Sequence, residues 1–253
     1  MEKLSTGEIK RILQETGEEA LEAFIVRFSA DERTQVQKMV EQAGKRLDAL
    51  KQERQRMYQL MAYERQYQNY EYICGVDEAG RGPLVGPVVA GAVILPKNCD
   101  ILYINDSKKL SEKKREELYE VIKEKAVAWS VGIVSEKRID EINILQATYE
   151  AMRHAIGKLK PQPNLLLNDA VQIPGIQITQ VPIIKGDAKS ASIGAASIMA
   201  KVTRDRLLEE YDKLYPEYHF ASNKGYGTKD HIEALEKYGP TPIHRMSFIK
   251  NFV

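Results

Sequence analysis

Little in this sequence points to secretion, a membrane or a bulk electrostatic field. Cys74 and Cys99 are the only cysteines in 253 residues, too few for a disulfide framework, so a reducing, cytoplasmic setting is expected. No apolar run approaches the ~18 residues of a membrane span, and the opening MEKLSTGEIKR has no apolar stretch, so no signal peptide is expected. Lysine and arginine number 37 against 36 acids. No overall charge therefore attracts polyanions, and any nucleic-acid surface has to be a local patch. Proline is missing from residues 1–68, which leaves that stretch without helix breakers. Nothing in the composition calls for oligomerisation, and a monomer is expected.

The proline-free stretch is rich in Glu, Lys, Arg and Gln and poor in β-branched residues. Ser5 and Glu8 form a capping-box pattern ahead of Ile9, Ile12 and Leu13. Gly17 interrupts that helix, and Leu21, Phe24, Ile25 and Phe28 form an apolar stripe at helical spacing. Ser29 and Glu32 repeat the capping-box pattern, which predicts a long helix from that point. Its apolar positions, Val36, Val40, Ala43, Leu47, Leu50, Met57 and Met61, fall alternately four and three apart, with Arg54 as the one break. The expectation is a small helical domain over 1–68, one long helix packed on two short ones. Its charged face is either solvated or meets a partner or substrate.

The texture changes near Tyr67. Tyr72–Val76 reads as a first strand, followed at once by Asp77 and Glu78 and then by Gly80-Arg81-Gly82-Pro83. Such a pair before glycine is either a solvated turn or a ligand set. Adjacent acids repel, so burying them requires a cation between them, and carboxylates suit Mg²⁺ and Mn²⁺. Glycines let a ligand approach the backbone, and Arg81 adds a charge beside it. Val88–Leu95 reads as a second strand, antiparallel to the first, with Gly91 marking a bulge or a close approach. Lys108 and Lys109 sit in a polar loop. Ser111 caps a helix over 112–125, and Val127–Val134 is a third strand. A helix over 138–159 places Ile142, Leu145, Tyr149, Met152 and Ile156 on one face. Strands at 165–167 and 176–184 follow, ending on Asn168-Asp169 and Lys185-Gly186-Asp187. Three strands that finish on acids suggest one carboxylate cluster. After Asp187 comes a small-residue helix whose Lys185, Lys189, Lys201, Arg204 and Arg206 outnumber its acids, a local basic patch. Tyr226, between glycines, either packs on its own loop or offers an aromatic face to a sugar or base. Arg245 and Lys250 near the end contact phosphate, or that segment packs its apolar residues on the core.

GVDEAGRGPLVGPVVAGAVIL, NDSKKLSEKKRE, LLLNDA, IIKGDAKSASIGAASIMAKVTRD, NKGYGTKDH and GPTPIHRMSF, in this order, resemble bacterial ribonuclease HII. The likeness runs from about 71 to 250, and the helical segment before it resembles an extension of some Firmicutes members. The resemblance implies an α/β, ribonuclease H-like fold: a mixed five-stranded sheet flanked by helices over 69–253, preceded by the all-helical domain. It implies an endonuclease that cuts RNA in RNA/DNA hybrids and 5′ of single ribonucleotides in DNA, as in ribonucleotide excision repair. Asp77, Glu78, Asp169 and Asp187 match the family's metal-binding acids, for two Mg²⁺ or Mn²⁺ ions. Gly80, Arg81 and Gly82 match the reader of the 2′-hydroxyl, and Tyr226 the residue stacking on the sugar at the RNA–DNA junction. Lys108, Lys109 and Lys185 match phosphate contacts. Asn168 stands where the family carries an apolar residue; it is expected to be solvated, to bond water near the metals, or to tilt Asp169. Two other readings stay open: a type III ribonuclease H acting on long hybrids only, and a module that binds hybrids without cutting.

Overall fold

The computed structural model describes residues 4–252. The chain partitions into two compact units, one up to Gln59 and one from Leu60 onward.

In the first unit, helix α1 (Thr6–Glu15) starts on the expected capping box. The Ser5 hydroxyl accepts from the Glu8 amide at 3.2 Å, and the Glu8 carboxylate takes the Ser5 amide at 2.7 Å. A 3₁₀ turn over Glu18–Ala20 leads into α2 (Leu21–Phe28). The long helix α3 (Thr34–Leu60) starts later than the second capping-box pattern predicts. Ser29 donates to the Val26 carbonyl instead, and Asp31 accepts from the Arg33 amide and pairs with its guanidinium. A local carboxylate–arginine pair has displaced the serine cap. The seam residues Val36 and Ala43 are buried in one cluster with Ile9, Leu13, Leu21, Phe24 and Phe28, while Arg54 is exposed.

In the second unit a short helix α4 (Ala62–Gln66) precedes the sheet. Its strands are β1 (Ile73–Ala79), β2 (Val88–Ile94), β3 (Ala128–Val134), β4 (Leu165–Asp169) and β5 (Thr179–Ile183). They lie in the order β3-β2-β1-β4-β5, antiparallel on the β3 side of β1 and parallel on the β4 side. This is the expected mixed five-stranded sheet. β1 runs three residues past the expected end, because the backbones of Asp77, Glu78 and Ala79 still pair with Gly91, Ala90 and Val89. The acids thus stand on a central strand rather than in a turn.

Helices α5 (Glu112–Lys125), α6 (Glu136–Lys158) and α7 (Ala191–Leu214) follow in chain order, then α8 (Phe220–Asn223), α9 (Lys229–Tyr238) and α10 (Met246–Ile249). α6 covers one face of the sheet, where Cys74, Val76, Leu166, Met152 and Ile156 share a core. It breaks at Asn143, whose left-handed backbone ends one segment and whose side chain caps the next through the amides of Leu145 and Gln146. The break shifts the helical phase, so Leu145 is exposed while Ala147, Ala151 and Ala155 are buried. α7 covers the other face and is buried without interruption from Ala191 to Ala200. Small residues on both sides allow this: a Cβ on Gly75 would fall 2.0 Å from the Ser192 carbonyl carbon, and one on Gly91 would fall 2.2 Å from the Ala196 oxygen. Gly91 therefore marks a close helix approach. A further core under the C-terminal helices joins Leu84, Val85, Leu208, Phe220, Leu235 and Ile249.

Candidate active site

Three strands bring the acids together. β1 presents Asp77, 5% exposed, and Glu78; β4 ends on Asp169. After β5 the chain turns through left-handed Lys185 into a 3₁₀ turn, Gly186–Ala188, that carries Asp187. The Gly186 amide donates to Asp169 Oδ1 at 2.7 Å, tying the last two together.

Each shift in acidity has a physical cause. Burial, then the charges of Glu78 and Asp169, push the Asp77 carboxyl well above the usual range, against the Ser197 hydroxyl and the Glu78 amide. Burial raises Glu78 as well; Arg81 opposes it, Asp169 adds to it, and Lys108 opposes it. Asp187 is raised by burial, Asp106 and Asp169, with the Ala188 amide and Lys108 working the other way. Asp169 acts on all three of the others, so the four acids share one field. Among the described residues, no three His, Cys, Asp or Glu side chains already stand as a ready-made metal cage. Glu78 is drawn instead to Arg81 at 3.3 Å. The donor set fits a hard divalent cation: oxygen ligands only, partly desolvated, with surplus negative charge that a cation would relieve.

The loop after β1 is held by two buried arginines that sequence reasoning did not single out for this role. Arg245 is 0% exposed, and its guanidinium donates to the carbonyls of Gly80, Arg81, Pro83 and Gly86 at 2.6–3.0 Å. Arg204, 1% exposed, donates to Val85, Pro87 and Lys224. Burial pushes both guanidinium groups down, Arg204 to about 10 and Arg245 to about 9. Gly80 has φ +93°, and a Cβ there would lie 2.2 Å from Arg204 Nε. Only glycine fits both constraints. In a planar trans peptide the N–H points opposite to the C=O. Turning the Gly80 and Arg81 carbonyls into Arg245 therefore turns the amides of Arg81 and Gly82 the other way, at exposed residues.

Tyr226 borders this loop. Its ring lies 3.8 Å from where a Gly82 Cβ would be, and the residue is 46% exposed. Loop and tyrosine are joined by the Leu84 amide on the Gly225 carbonyl at 2.8 Å. A buried histidine pair supports the tyrosine. His231 Nδ1 lies 2.8 Å from the Tyr226 carbonyl, so it carries the proton and donates. The Thr241 amide donates to His244 Nδ1 at 2.9 Å, so His244 donates through Nε2 to His231 Nε2 at 3.2 Å. Both rings are neutral. Burial lowers His231, and burial with His231 lowers His244 to about 4.

Among the lysines, Lys108 is exposed yet acts on both Glu78 and Asp187, which places it beside the acids. Lys109 and Lys185 are exposed. The basic patch expected along α7 is largely neutralised: Arg204 is buried, Arg206 pairs with Glu116 and Glu120, and Lys201 with Asp205. Arg245 packs inward. Asn168 is fully buried and bonds Gln180 at 2.8 Å, so it is not solvated; strand alternation turns it away from Asp169. Sequence reasoning missed Asp106, Ser107 and Ser197. Ser197 supports Asp77 and lies 2.9 Å from Ser107, at the start of the Lys108 turn. The NDSKKL pattern held that signal, but the lysines drew the attention.

A mixed sheet that collects carboxylates at its central strands defines a nuclease of the ribonuclease H class. The chain belongs to the Ribonuclease HII family: the family model matches residues 74–251, and a model of the Ribonuclease HII N-terminal domain matches residues 5–68. It is 60% identical over 248 residues to the Ribonuclease HII of Lachnoclostridium phytofermentans, covering 98% of each chain. It is 53% identical over 255 residues to that of Clostridioides difficile, covering 100% of each. The crystal structure of ribonuclease H2 from Pyrococcus horikoshii superimposes with a TM-score of 0.61 at 30% identity, covering 72% of this chain and 96% of that one. The chain is a hydrolase of the ribonuclease H type. Among the described residues no helix is long and apolar enough to cross a membrane.

Proposed function

We propose that this chain is an endoribonuclease that hydrolyses RNA in RNA/DNA hybrids and cuts 5′ of single ribonucleotides in duplex DNA, leaving 3′-hydroxyl and 5′-phosphate ends. It works in the cytoplasm as a monomer. The observation that carries the reading is the clamped Gly80–Gly82 loop, whose Gly80 and Arg81 carbonyls are held by Arg245, directly after Asp77 and Glu78 in the chain. The amides of Arg81 and Gly82 donate to the 2′-hydroxyl, the group that separates RNA from DNA. Tyr226 stacks on the sugar next to it and registers the junction. Lys108 meets the scissile phosphate, with Lys109 and Lys185 on flanking phosphates. Asp77, Glu78, Asp169 and Asp187 hold two divalent cations, Mg²⁺ or Mn²⁺, which when bound favour attack by water and stabilise the leaving oxygen. Ser197 and the Glu78 amide hold Asp77 in place for that task.

The test is cleavage of a DNA duplex carrying one ribonucleotide, beside a long hybrid and an all-DNA control, in Mg²⁺ and in Mn²⁺. A single cut 5′ of the ribonucleotide is expected. Cleavage of the long hybrid alone would replace this reading with a type III activity, and binding without cleavage would leave a hybrid-binding module.

We propose further that residues 1–68 form a domain that adds substrate affinity to a catalytic part spanning 69–253. Glu64 bonds α7, so the deletion that tests this ends at Gln59. A raised KM with an unchanged kcat is expected; an unchanged KM would assign those helices to a protein partner.

A further inference from the structure

Lys108 lies in a 3₁₀ turn, Ser107–Lys109, just ahead of α5. Within it the Asp106 carboxylate accepts from the Lys108 amide at 2.9 Å, and the Asp106 carbonyl accepts from the Lys109 amide at 2.9 Å. These bonds shape the turn without placing it. Lys108 is exposed, and the fold fixes its Cα but not the flexible stem beyond. How close its ammonium stays to Glu78 and Asp187 therefore depends on what holds the turn.

Ser197, Lys201 and Asp205 lie four residues apart along α7, so they share one face. Ser197 Oγ is 2.9 Å from Ser107 Oγ and also supports Asp77, so one hydroxyl registers the turn against β1. Farther along that face Asp205, 4% exposed, pairs with Lys201 at 2.7 Å and meets Arg115 Nη2 at 3.9 Å. Arg115 stands near the start of α5, its amide on the Ser111 carbonyl at 2.9 Å. Its Nη1 reaches back to the carbonyls on either side of the two lysines, Ser107 at 3.0 Å and Leu110 at 2.6 Å. The start of α5 has its own cap, the Ser111 hydroxyl on the Lys114 amide at 3.3 Å, so this bracket is not needed to begin the helix. The guanidinium repeats here what Arg245 does on the Gly80–Gly82 loop: it takes the carbonyls of a segment whose cation is exposed.

We propose that Arg115, braced by Asp205, is a positioning residue for the reaction: by holding the Ser107 and Leu110 carbonyls it keeps Lys108 beside the acids, where the lysine meets the scissile phosphate. The inference rests on the reading of Lys108 given above. A functional side chain is only as well placed as the groups behind it, and a small misplacement is costly in rate.

The experiment is a double-mutant cycle in the full-length protein, with Arg115→Met, Lys108→Ala and the pair, assayed on an RNA/DNA hybrid in Mn²⁺ well below the melting transition. Both single variants lower kcat, Arg115→Met by about tenfold, with KM changed far less. In the Lys108→Ala background Arg115→Met costs less than about twofold, because the group it positions is gone. Mn²⁺ affinity by calorimetric titration stays unchanged. Arg115→Lys keeps a charge toward Asp205 and a donor for the carbonyls but not the fork, and loses about threefold in the same cycle; it serves if Arg115→Met does not fold. An unchanged kcat on substitution of Arg115, beside a depressed Lys108→Ala, would overturn the inference alone. So would equal losses from the Arg115 substitution in both backgrounds, or weakened Mn²⁺ binding, which would assign Arg115 to the acids. Full activity of Lys108→Ala, or no cleavage by the wild type, would overturn the reading beneath it as well.

Discussion

Two sets of buried charge sit side by side in this molecule and are treated in opposite ways. The arginines Arg204 and Arg245 are fully enclosed, yet every side of each planar fork meets a carbonyl, three for Arg204 and four for Arg245. The acids Asp77, Glu78, Asp169 and Asp187 are partly or wholly enclosed, and Asp169 acts on each of the other three. Carbonyl dipoles compensate a guanidinium without any second charge. The acids are compensated only in part, by the Glu78, Gly186 and Ala188 amides, the Ser197 hydroxyl, Arg81 and Lys108, and burial still raises Asp77, Glu78 and Asp187. A buried charge that is fully bonded fixes a shape; one that is left short of partners is built to receive something. Here the first kind holds the loop proposed to read the substrate, and the second is the set proposed to hold the ions.

Asp77→Asn tests the second half of the contrast most severely. Cleavage should be abolished. Stability of the metal-free protein should stay level or rise, because a carboxyl made a weaker acid by burial is costly to keep charged at neutral pH, and the amide removes that cost. Thermal melting in chelator beside a hybrid-cleavage assay reads both; a drop of several degrees would place Asp77 with the structural charges. Arg245→Ala should do the reverse. It leaves four carbonyls without their donor, those of Pro83 and Gly86 buried, and at ~1–3 kcal/mol for each unsatisfied buried group the loss is about 2 kcal/mol or more. Urea unfolding measures it. Arg245→Lys should recover little, since an ammonium cannot reproduce the fork, and added Mg²⁺ should not rescue either variant.

The contrast also explains what could be read in the sequence and what could not. The acids were legible because each ends or follows an apolar run: Tyr72–Val76 before Asp77, Leu165–Leu167 before Asp169, and the β5 stretch before Asp187. The positions of the strands followed from the same runs, as did the antiparallel direction of the second, while the mixed five-stranded sheet was expected from the resemblance. The arginines were not legible. Arg204 lies among cations at helical spacing and Arg245 in a short basic tail, and composition alone reads both as surface. Their burial depends on carbonyls that, Lys224 apart, lie more than a hundred residues away in sequence. Asn143 was hidden for a related reason: the apolar spacing runs through it, and only its side-chain cap reveals the break.

The histidine pair tests a third, smaller effect. His231 and His244 are buried and neutral, and they hold the Tyr226 carbonyl. His244 titrates at about 4 in the fold against 6.5 when free. The folded value is depressed for a base, so the unfolded chain binds the proton first. The stability is present above pH ~6.5 and is lost as pH falls toward 4, on the order of 3 kcal/mol across that window. Replacing His244 by Asn should flatten the acid limb of stability against pH. An unchanged limb would mean that other groups set it.

Arg81 touches both sets, and the effect of losing it on stability should be the smallest. Its backbone carbonyl is gripped by Arg245, while its side chain, 44% exposed, pairs with Glu78 at 3.3 Å. A half-exposed pair contributes at most ~1 kcal/mol, so Arg81→Gln should barely move the unfolding midpoint. Glu78 then loses a competitor for its carboxylate, so affinity for Mn²⁺ measured by calorimetric titration should hold or increase. Substrate affinity should fall several-fold, because a positive charge beside the substrate loop is lost, while the backbone amides stay in place. A loss above ~2 kcal/mol with substrate affinity intact would move Arg81 into the company of Arg204 and Arg245. Weakened Mn²⁺ binding would mean that Arg81 positions Glu78 for the ion rather than competing with it.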